Sequence, residues 1–253
     1  MRERAGEREV TGMDFMIHGI YSYEFFGETV WITTSHVCVL IVLLVLLGFA
    51  LAANRKIRRA ARELSDREAP GGMVNFLELL VEKLDDMVEH AMGIHAPAFV
   101  NYIGTVFLFL LCSNVSGLFG LRPPTADYGT TLALALMTFV LIWTVRIRHQ
   151  RPGRIWGELC SPLPSWLPLW VPVNLISELA IPISLSLRLF ANVLSGTVML
   201  ALVYGLLREI AYVWPAALHA YFDLFSGAIQ TYVFCMLTMT YIARSYGEEA
   251  QES

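Results

Sequence analysis

The sequence predicts an all-α membrane protein with five membrane helices and one amphipathic surface helix, in which the last two membrane helices are long, tilted and antiparallel. Three observations carry this expectation. Of 253 residues, 56% are apolar and only 16% charged, and the mean hydropathy is +0.55, which is too oily for an ordinary soluble domain. The apolar residues gather into five runs, near 31–53, 98–119, 129–145, 173–207 and 215–243, each close to or above the roughly 20 residues that cross a hydrocarbon core of about 30 Å. Isolated strands cannot satisfy their backbone groups in lipid, so each run reads as a helix.

The first run begins near Trp31, too late and too long for a signal peptide. Residues 1–30 are therefore expected to form an extracytoplasmic segment and residues 31–253 a single helical membrane domain. After the first run comes NRKIRRAARELSDRE, with Arg55, Lys56, Arg58, Arg59, Arg62 and Arg67, and after the third comes RIRHQRPGR, with Arg146, Arg148, Arg151 and Arg154. The opposite loops carry Arg122 and Arg208 alone. The positive-inside rule then places the N-terminus outside and the C-terminus in the cytoplasm. Between the first two runs, residues 73–91 repeat apolar side chains at helical spacing (Phe76, Leu77, Leu80, Leu84, Val88) among Glu78, Glu82, Asp85, Asp86 and Glu89. An amphipathic helix follows, and its acidity favours packing on another subunit over anionic lipid. The stretch SPLPSWLPLWVPVN is too rich in proline to be a regular span, so the fourth helix is expected to open at Asn174. Trp31, Trp143, Trp156, Trp166, Trp170 and Trp214 fall near span ends, where either an interfacial belt or ordinary packing accounts for them.

Cys38, Cys112, Cys160 and Cys235 are isolated along the chain and read as small buried hydrophobes. The sequence has no glycine-rich phosphate loop, HExxH or nucleophile elbow, so no cofactor or metal is expected. The six histidines, His219 among them, are read as interfacial.

Within the apolar runs the ionisable residues reduce to Glu178, Arg188 and Asp223. An arginine at mid-bilayer costs from about 3 kcal/mol to more than 10, so something must offset it. At 100° per residue Ser177, Ser184, Arg188, Asn192 and Ser195 fall on one helix face, with the small Ala191 and Gly196 beside it to admit a neighbouring helix. Glu178 lies off that face and about 15 Å away along the axis, out of pairing range. The fourth run would be about 52 Å long as a helix, so it must tilt or bend, with Pro182 the expected kink. A turn near residue 211 makes the last two helices antiparallel. Gln230 then comes level with Arg188, and Asp223 level with Thr197, with Asp223 and Gln230 on one face. Graded polarity of this kind suits an ion route with a fixed central cation. The alternatives are an Arg188–Asp223 ion pair locking the two helices, a self-contained transporter or channel with a substrate site at Arg188, and a purely structural scaffold. A transporter would be expected to show internal repeats or paired broken helices, and neither is visible.

The segments SLSLRLFANVLSG, PVNLISE, LRPPTADYGTTLALAL and DLFSGAIQTYVFCMLTMTYI resemble the a-subunit family of the F-type ATP synthase, over about residues 12–246. The resemblance implies an ion-translocating stator subunit in a prokaryotic plasma membrane, with no catalysis of its own. It implies two offset half-channels that meet a rotating ring of c subunits, a b-subunit peripheral stalk as further partner, and H⁺ or Na⁺ as the ion. By the family pattern Arg188 is the essential arginine: it meets the c-subunit carboxylate and keeps ions from passing directly between half-channels. Asn192, four residues on, and Gln230 facing it match the pattern, and Glu178 matches the acid of the inner channel. Asp223 falls where the outer channel carries an ionisable group, and Asn114 and Asp127 match polar positions near its mouth. Thr197 stands where many members have an acid or histidine, which shifts weight onto Asp223. Ser184 and Ser195 complete the expected route. Structural roles compete at four of these positions: a first-turn helix acid for Glu178, a turn residue for Asp127, and helix-packing hydrogen bonders for Asn114 and Gln230.

Overall fold

The computed structural model describes residues 19–25, 28–63, 72–119, 121–160, 171–206 and 214–246. The charged N-terminal tail, the proline- and tryptophan-rich stretch at 161–170, the turn near residue 211 and the end of the C-terminal tail lie outside these residues. The chain enters as an antiparallel hairpin, β1 (Gly19–Phe25) and β2 (Glu28–Thr33), with Gly19 opposite Thr33. Trp31, Ile32 and Thr33 therefore belong to a strand, and the first membrane helix, α1 (Thr34–Glu63), starts three residues later than hydropathy suggested. Val30, Trp31, Ile32 and Thr33 are β-branched or aromatic, good strand formers that hydropathy alone cannot tell from the start of a helix.

The amphipathic helix is α2 (Gly72–Met92). Gly93 ends it in the left-handed region, φ 55°, a conformation glycine adopts without strain at a helix C-terminus. A short 3₁₀ turn, Gly93–His95, leads into α3 (Ala96–Val115), with Pro97 in its first turn where a missing N–H costs nothing. Val88 and Met92 of α2 join the core, and the helix packs on α3 and α8 of this same chain. The inner part of the apolar stripe is thus taken up within this chain, while Phe76, Leu79 and Val81 and Glu78, Glu82 and Glu89 stay exposed.

The second apolar run is α only to Val115 and continues as a 3₁₀ turn, Ser116–Phe119. After a further 3₁₀ turn, Pro124–Ala126, Asp127 caps α4 (Tyr128–His149), its Oδ1 accepting from Gly129 N at 3.0 Å. Arg146, Arg148 and His149 sit in the last turn, where positive charge offsets the helix dipole. The short α5 (Pro152–Cys160) was not expected from the sequence. The longest element, α6 (Val171–Leu206), opens at Val171 rather than Asn174 and runs unbroken through Pro182. A proline at its second residue is tolerated, which is why the helix can start inside the proline-rich stretch.

The last run is composite. It begins as α7 (Trp214–His219), widens into a π-helix over Ala220–Ser226, and continues as α8 (Gly227–Arg244). The π-helix interrupts the uniform α geometry that the seven-residue spacing of Asp223 and Gln230 assumed. Five helical stretches are long and apolar enough to cross a membrane. Their shared core is built from α3, α4, α6 and α8, with Ile103, Leu110, Ala135, Leu185, Leu189, Phe234 and Met239 buried. Most of α1 stays outside it, showing Leu40, Leu43, Leu44, Leu47 and Leu51, as suits a helix bathed in lipid.

Candidate functional site

The α6–α8 pair is antiparallel, and its register can be read from three contacts. A Cβ placed on Gly196 would lie 3.4 Å from Phe222 Cβ, and Ser226 Oγ donates to Asn192 Oδ1 at 2.9 Å. At the other end Glu178 and Ile181 line one cavity with Tyr241, Arg244 and Ser245. Continuing the Gly196–Phe222 and Asn192–Ser226 register places Gln230 opposite Arg188. Thr197 falls two residues from the Asp223 level in the same register; its hydroxyl donates to Val193 O at 2.8 Å.

Two cavities with polar side chains in their lining lie at opposite ends of this pair. The first, of about 20 Å³, brings together Asn114 of α3, Pro123 of the connecting loop, Asn192, Val193 and Gly196 of α6, and Phe222, Asp223 and Gly227 of the π-helix and α8. A water needs about 10–15 Å³, so there is room for one. Asn114 is its anchor. Its Nδ2 donates to Gly227 O at 3.0 Å and to Thr231 Oγ1 at 3.2 Å, and its Oδ1 accepts from Thr125 Oγ1 at 3.0 Å. These bonds satisfy a buried amide and fix α3 against α8. Close approach calls for glycine at 227, where a Cβ would lie 2.8 Å from Asn114 Cβ, and Gly117 is tight against Asp223, whose Cγ would be 3.0 Å from an added Cβ.

Asp223 does not stand alone. Its Oδ2 lies 2.9 Å from His219 Nδ1, one turn earlier. The expectation that His219 is merely interfacial is corrected: spacing of i, i+4 on a helical stretch is the signal that could have found the pair.

The second cavity, of about 160 Å³, is lined by Ile142, Arg146, Glu158, Glu178, Ile181, Tyr241, Arg244 and Ser245. Arg146 spans it, with Nη1 on Glu178 Oε1 and Nη2 on Glu158 Oε2, both at 2.6 Å. The sequence placed Arg146 in a cytoplasmic basic loop; in the fold it reaches from the last turn of α4 to α6 and α5, and its side chain is 11% exposed. Charge-assisted bonds of this length are the strong class.

Arg188 lies between the cavities, about 15 Å of helix from Glu178 and about 12 Å from Gly196. It is partly buried and forms no hydrogen bond or ion pair with any described residue. The alternative of an Arg188–Asp223 lock is absent, since Asp223 pairs with His219. Ser184, Ala191 and Ser195 beside Arg188 are exposed, and Ser195 Oγ donates to Asn192 O at 3.0 Å. Gln230 buries its amide nitrogen without a partner among the described residues. Asp127 caps α4 and does not line either cavity. Among the described residues there is no group of His, Cys, Asp and Glu side chains able to hold a metal ion.

Residues 35–243 match the family model described as ATP synthase A chain. The chain is 39% identical over 189 residues to the sodium ion specific ATP synthase subunit a of Propionigenium modestum, an alignment covering 68% of this chain and 63% of that relative. It thus spans a little under two thirds of that relative's length. It is 34% identical over 215 residues to ATP synthase subunit a 3 of Pelobacter propionicus, covering 85% of this chain and 87% of the relative. With ATP synthase subunit a of Mycobacterium ulcerans it shares 33% identity over 219 residues, covering 81% and 83%.

Proposed function

This chain belongs to the ATP synthase A chain family, and from that premise we propose that it is the ion-translocating stator subunit of a rotary ATP synthase membrane sector. Its part is ion movement; ATP chemistry is carried out in the soluble head of the complex. The observation that carries the reading is the pair of separate cavities at opposite ends of α6 and α8, with an arginine between them that pairs with no described residue. The Asp223 cavity serves as the half-channel from outside and the Glu178 cavity as the half-channel from the cytoplasm, with the N-terminus outside and the C-terminus inside a bacterial plasma membrane.

Arg188 has a charge to satisfy and a small, polar, exposed surface around it. A carboxylate carried by each c subunit of a rotor ring meets both needs as it comes level with Arg188. Attraction to the guanidinium favours the deprotonated carboxylate, so the bound ion leaves there. The fixed positive charge also repels any ion crossing directly from one cavity to the other. Ions then move only by riding the ring from one half-channel to the next, and the membrane potential contributes about 2.3 kcal/mol per charge per 100 mV. Gln230 comes level with Arg188 on the facing helix and completes the polar centre of the pair. Asn192, Ser195 and Thr197 carry the polar surface toward the Asp223 cavity, and Ser184 carries it toward Glu178. Asn114 holds the outer cavity in shape, and Asp127 organises the loop beside it. The b-subunit peripheral stalk and the bilayer hold the chain stationary against the ring.

The translocated ion is H⁺ or Na⁺, the second being the ion in the name of the Propionigenium relative. The test is Arg188→Ala in the assembled complex in inverted vesicles. ATP-driven ion pumping and ATP synthesis are both lost; retention of either overturns the reading.

A further inference from the structure

We propose that His219 is a proton-transferring residue of the outer half-channel and that, together with Asp223, it makes that route a route for protons rather than Na⁺. The proposal rests on the half-channel reading above and names a group that reading did not include. His219 Nδ1 and Asp223 Oδ2 are 2.9 Å apart, a distance at which a proton passes without intervening water. The His219 side chain is 36% exposed and that of Asp223 18%, so the imidazole is the more accessible member and the carboxylate the inner one. The α-to-π junction begins at Ala220, directly after His219. The widened turns carry Asp223 against Gly117, where a Cβ would be 3.0 Å from the carboxyl carbon. One oxygen is thus held on His219 while the carboxyl group packs against the 3₁₀ turn and borders the cavity toward Asn192.

The surroundings favour a proton over a metal cation. Sodium needs several oxygen ligands around it, and the cavity of about 20 Å³ has room for one water. The other side-chain acceptors there each already accept one hydrogen bond that orients them: Asn114 Oδ1 from Thr125 and Asn192 Oδ1 from Ser226. Facing Asp223 is a nitrogen that is a donor in the protonated ring and cannot ligate a cation in that state. Among the described residues packed around the pair, α3 contributes Asn114, the following 3₁₀ turn Gly117, the loop Pro123, and α6 contributes Asn192, Val193 and Gly196, none of them charged. Among the described residues, Tyr204 of α6 brings its ring to 6.3 Å from that of His219, between centroids.

The transfer balances with one proton entering and one leaving. Nε2 takes a proton from outer water while the Nδ1 proton passes to the Asp223 carboxylate. This leaves a neutral imidazole protonated at Nε2 and a neutral Asp223, whose proton then moves to the cavity water and on to the rotor. Exchange with outer water, one proton arriving at Nδ1 as another leaves Nε2, resets the donor.

The experiment compares the unaltered complex with His219→Ala and His219→Gln in membrane vesicles, measuring passive proton flux under a potassium diffusion potential across a range of pH. Both variants are expected to lower the flux by about tenfold or more and to change the shape of its pH profile. Added imidazole should restore flux in His219→Ala. His219→Gln keeps a hydrogen-bond donor for Asp223 but cannot relay a proton, so it separates relay from packing if the alanine variant assembles poorly. Unchanged flux and pH profile in His219→Gln overturns the inference, as does potential-driven Na⁺ flux through the unaltered complex at neutral pH. If the His219 variants pump normally while Arg188→Ala does not, this inference alone fails; if Arg188→Ala also pumps, the proposed function fails with it.

Discussion

The contact of Gly227 with Asn114 yields a prediction that can be worked from distances. A methyl group at Gly227 would place its carbon 2.8 Å from Asn114 Cβ and 3.3 Å from its Cγ, whereas relaxed carbon contacts lie near 3.5–4.0 Å. Both are short, stiff parts of the structure, so α3 and α8 must separate by about 0.7 Å or more. Such a shift stretches the Asn114 Nδ2 to Gly227 O bond from 3.0 Å to about 3.7 Å, beyond a hydrogen bond. Overpacking costs about 1–3 kcal/mol, and stranding a buried polar group costs about another 1–3 kcal/mol. Gly227→Ala should therefore destabilise the fold by about 2–6 kcal/mol, a large fraction of the roughly 5–15 kcal/mol that holds a typical domain together. Gly104→Ala on α3 is the matched control. Nothing lies within 4 Å of its added Cβ, and a helical Gly→Ala change is neutral to stabilising, by roughly 0.5–1 kcal/mol. The assay is thermal denaturation of the purified membrane sector in detergent, read as the temperature at which half of this chain is lost from the complex. Equal melting of the two variants would refute the argument that this close approach sets the α3–α8 spacing.

Other consequences are local. Arg146→Met leaves Glu178 and Glu158 without their shared cation and should cost about 3 kcal/mol or more; in the same melting assay, adding Glu178→Gln should recover part of the loss. Asp127→Ala removes the α4 cap bond and should cost about 1 kcal/mol with no change in ion flux, whereas a fall in flux beyond the fall in folded protein would return Asp127 to the ion path.

Much of the helical layout was legible because bilayer thickness forces long apolar runs, and hydropathy reads length directly. The boundaries that moved are those where another signal competes. Val30 to Thr33 are as apolar as a helix start yet pair as a strand, and α6 begins inside a proline-rich stretch because its first turn needs no N–H donors. The polar face through Ser184, Arg188, Asn192 and Ser195 was legible from the 3.6-residue period, and the antiparallel register from counting outward from one turn.

Features that escaped depend on irregular helix or on distant chain. Nothing in the residue pattern marks the π-helix at Ala220–Ser226, which interrupts the even α spacing around Asp223. The His219–Asp223 pair is visible in the sequence as an i, i+4 spacing, but a histidine beside one acid does not make a metal-ligand pattern. Glu178 was correctly separated from Arg188, yet its real partner, Arg146, lies 32 residues away on another helix. A basic residue at a span end reads as a topology signal, and only packing turns it into a partner for a buried acid.

The central claim is that the Asp223 and Glu178 cavities are separate and open to opposite sides, with Arg188 between them. It is tested most directly by side-specific access. Cysteine is placed singly at position 223 or 178 in a complex whose four free cysteines have been replaced. Ag⁺, small enough for these cavities, is applied from one face of sealed vesicles, and the unreacted thiol is titrated after solubilisation. Thiol at 223 should be consumed only from the outer face and thiol at 178 only from the cytoplasmic face. Reaction at either position from both faces would contradict the account, because it would mean one continuous channel rather than two that meet only through the rotor.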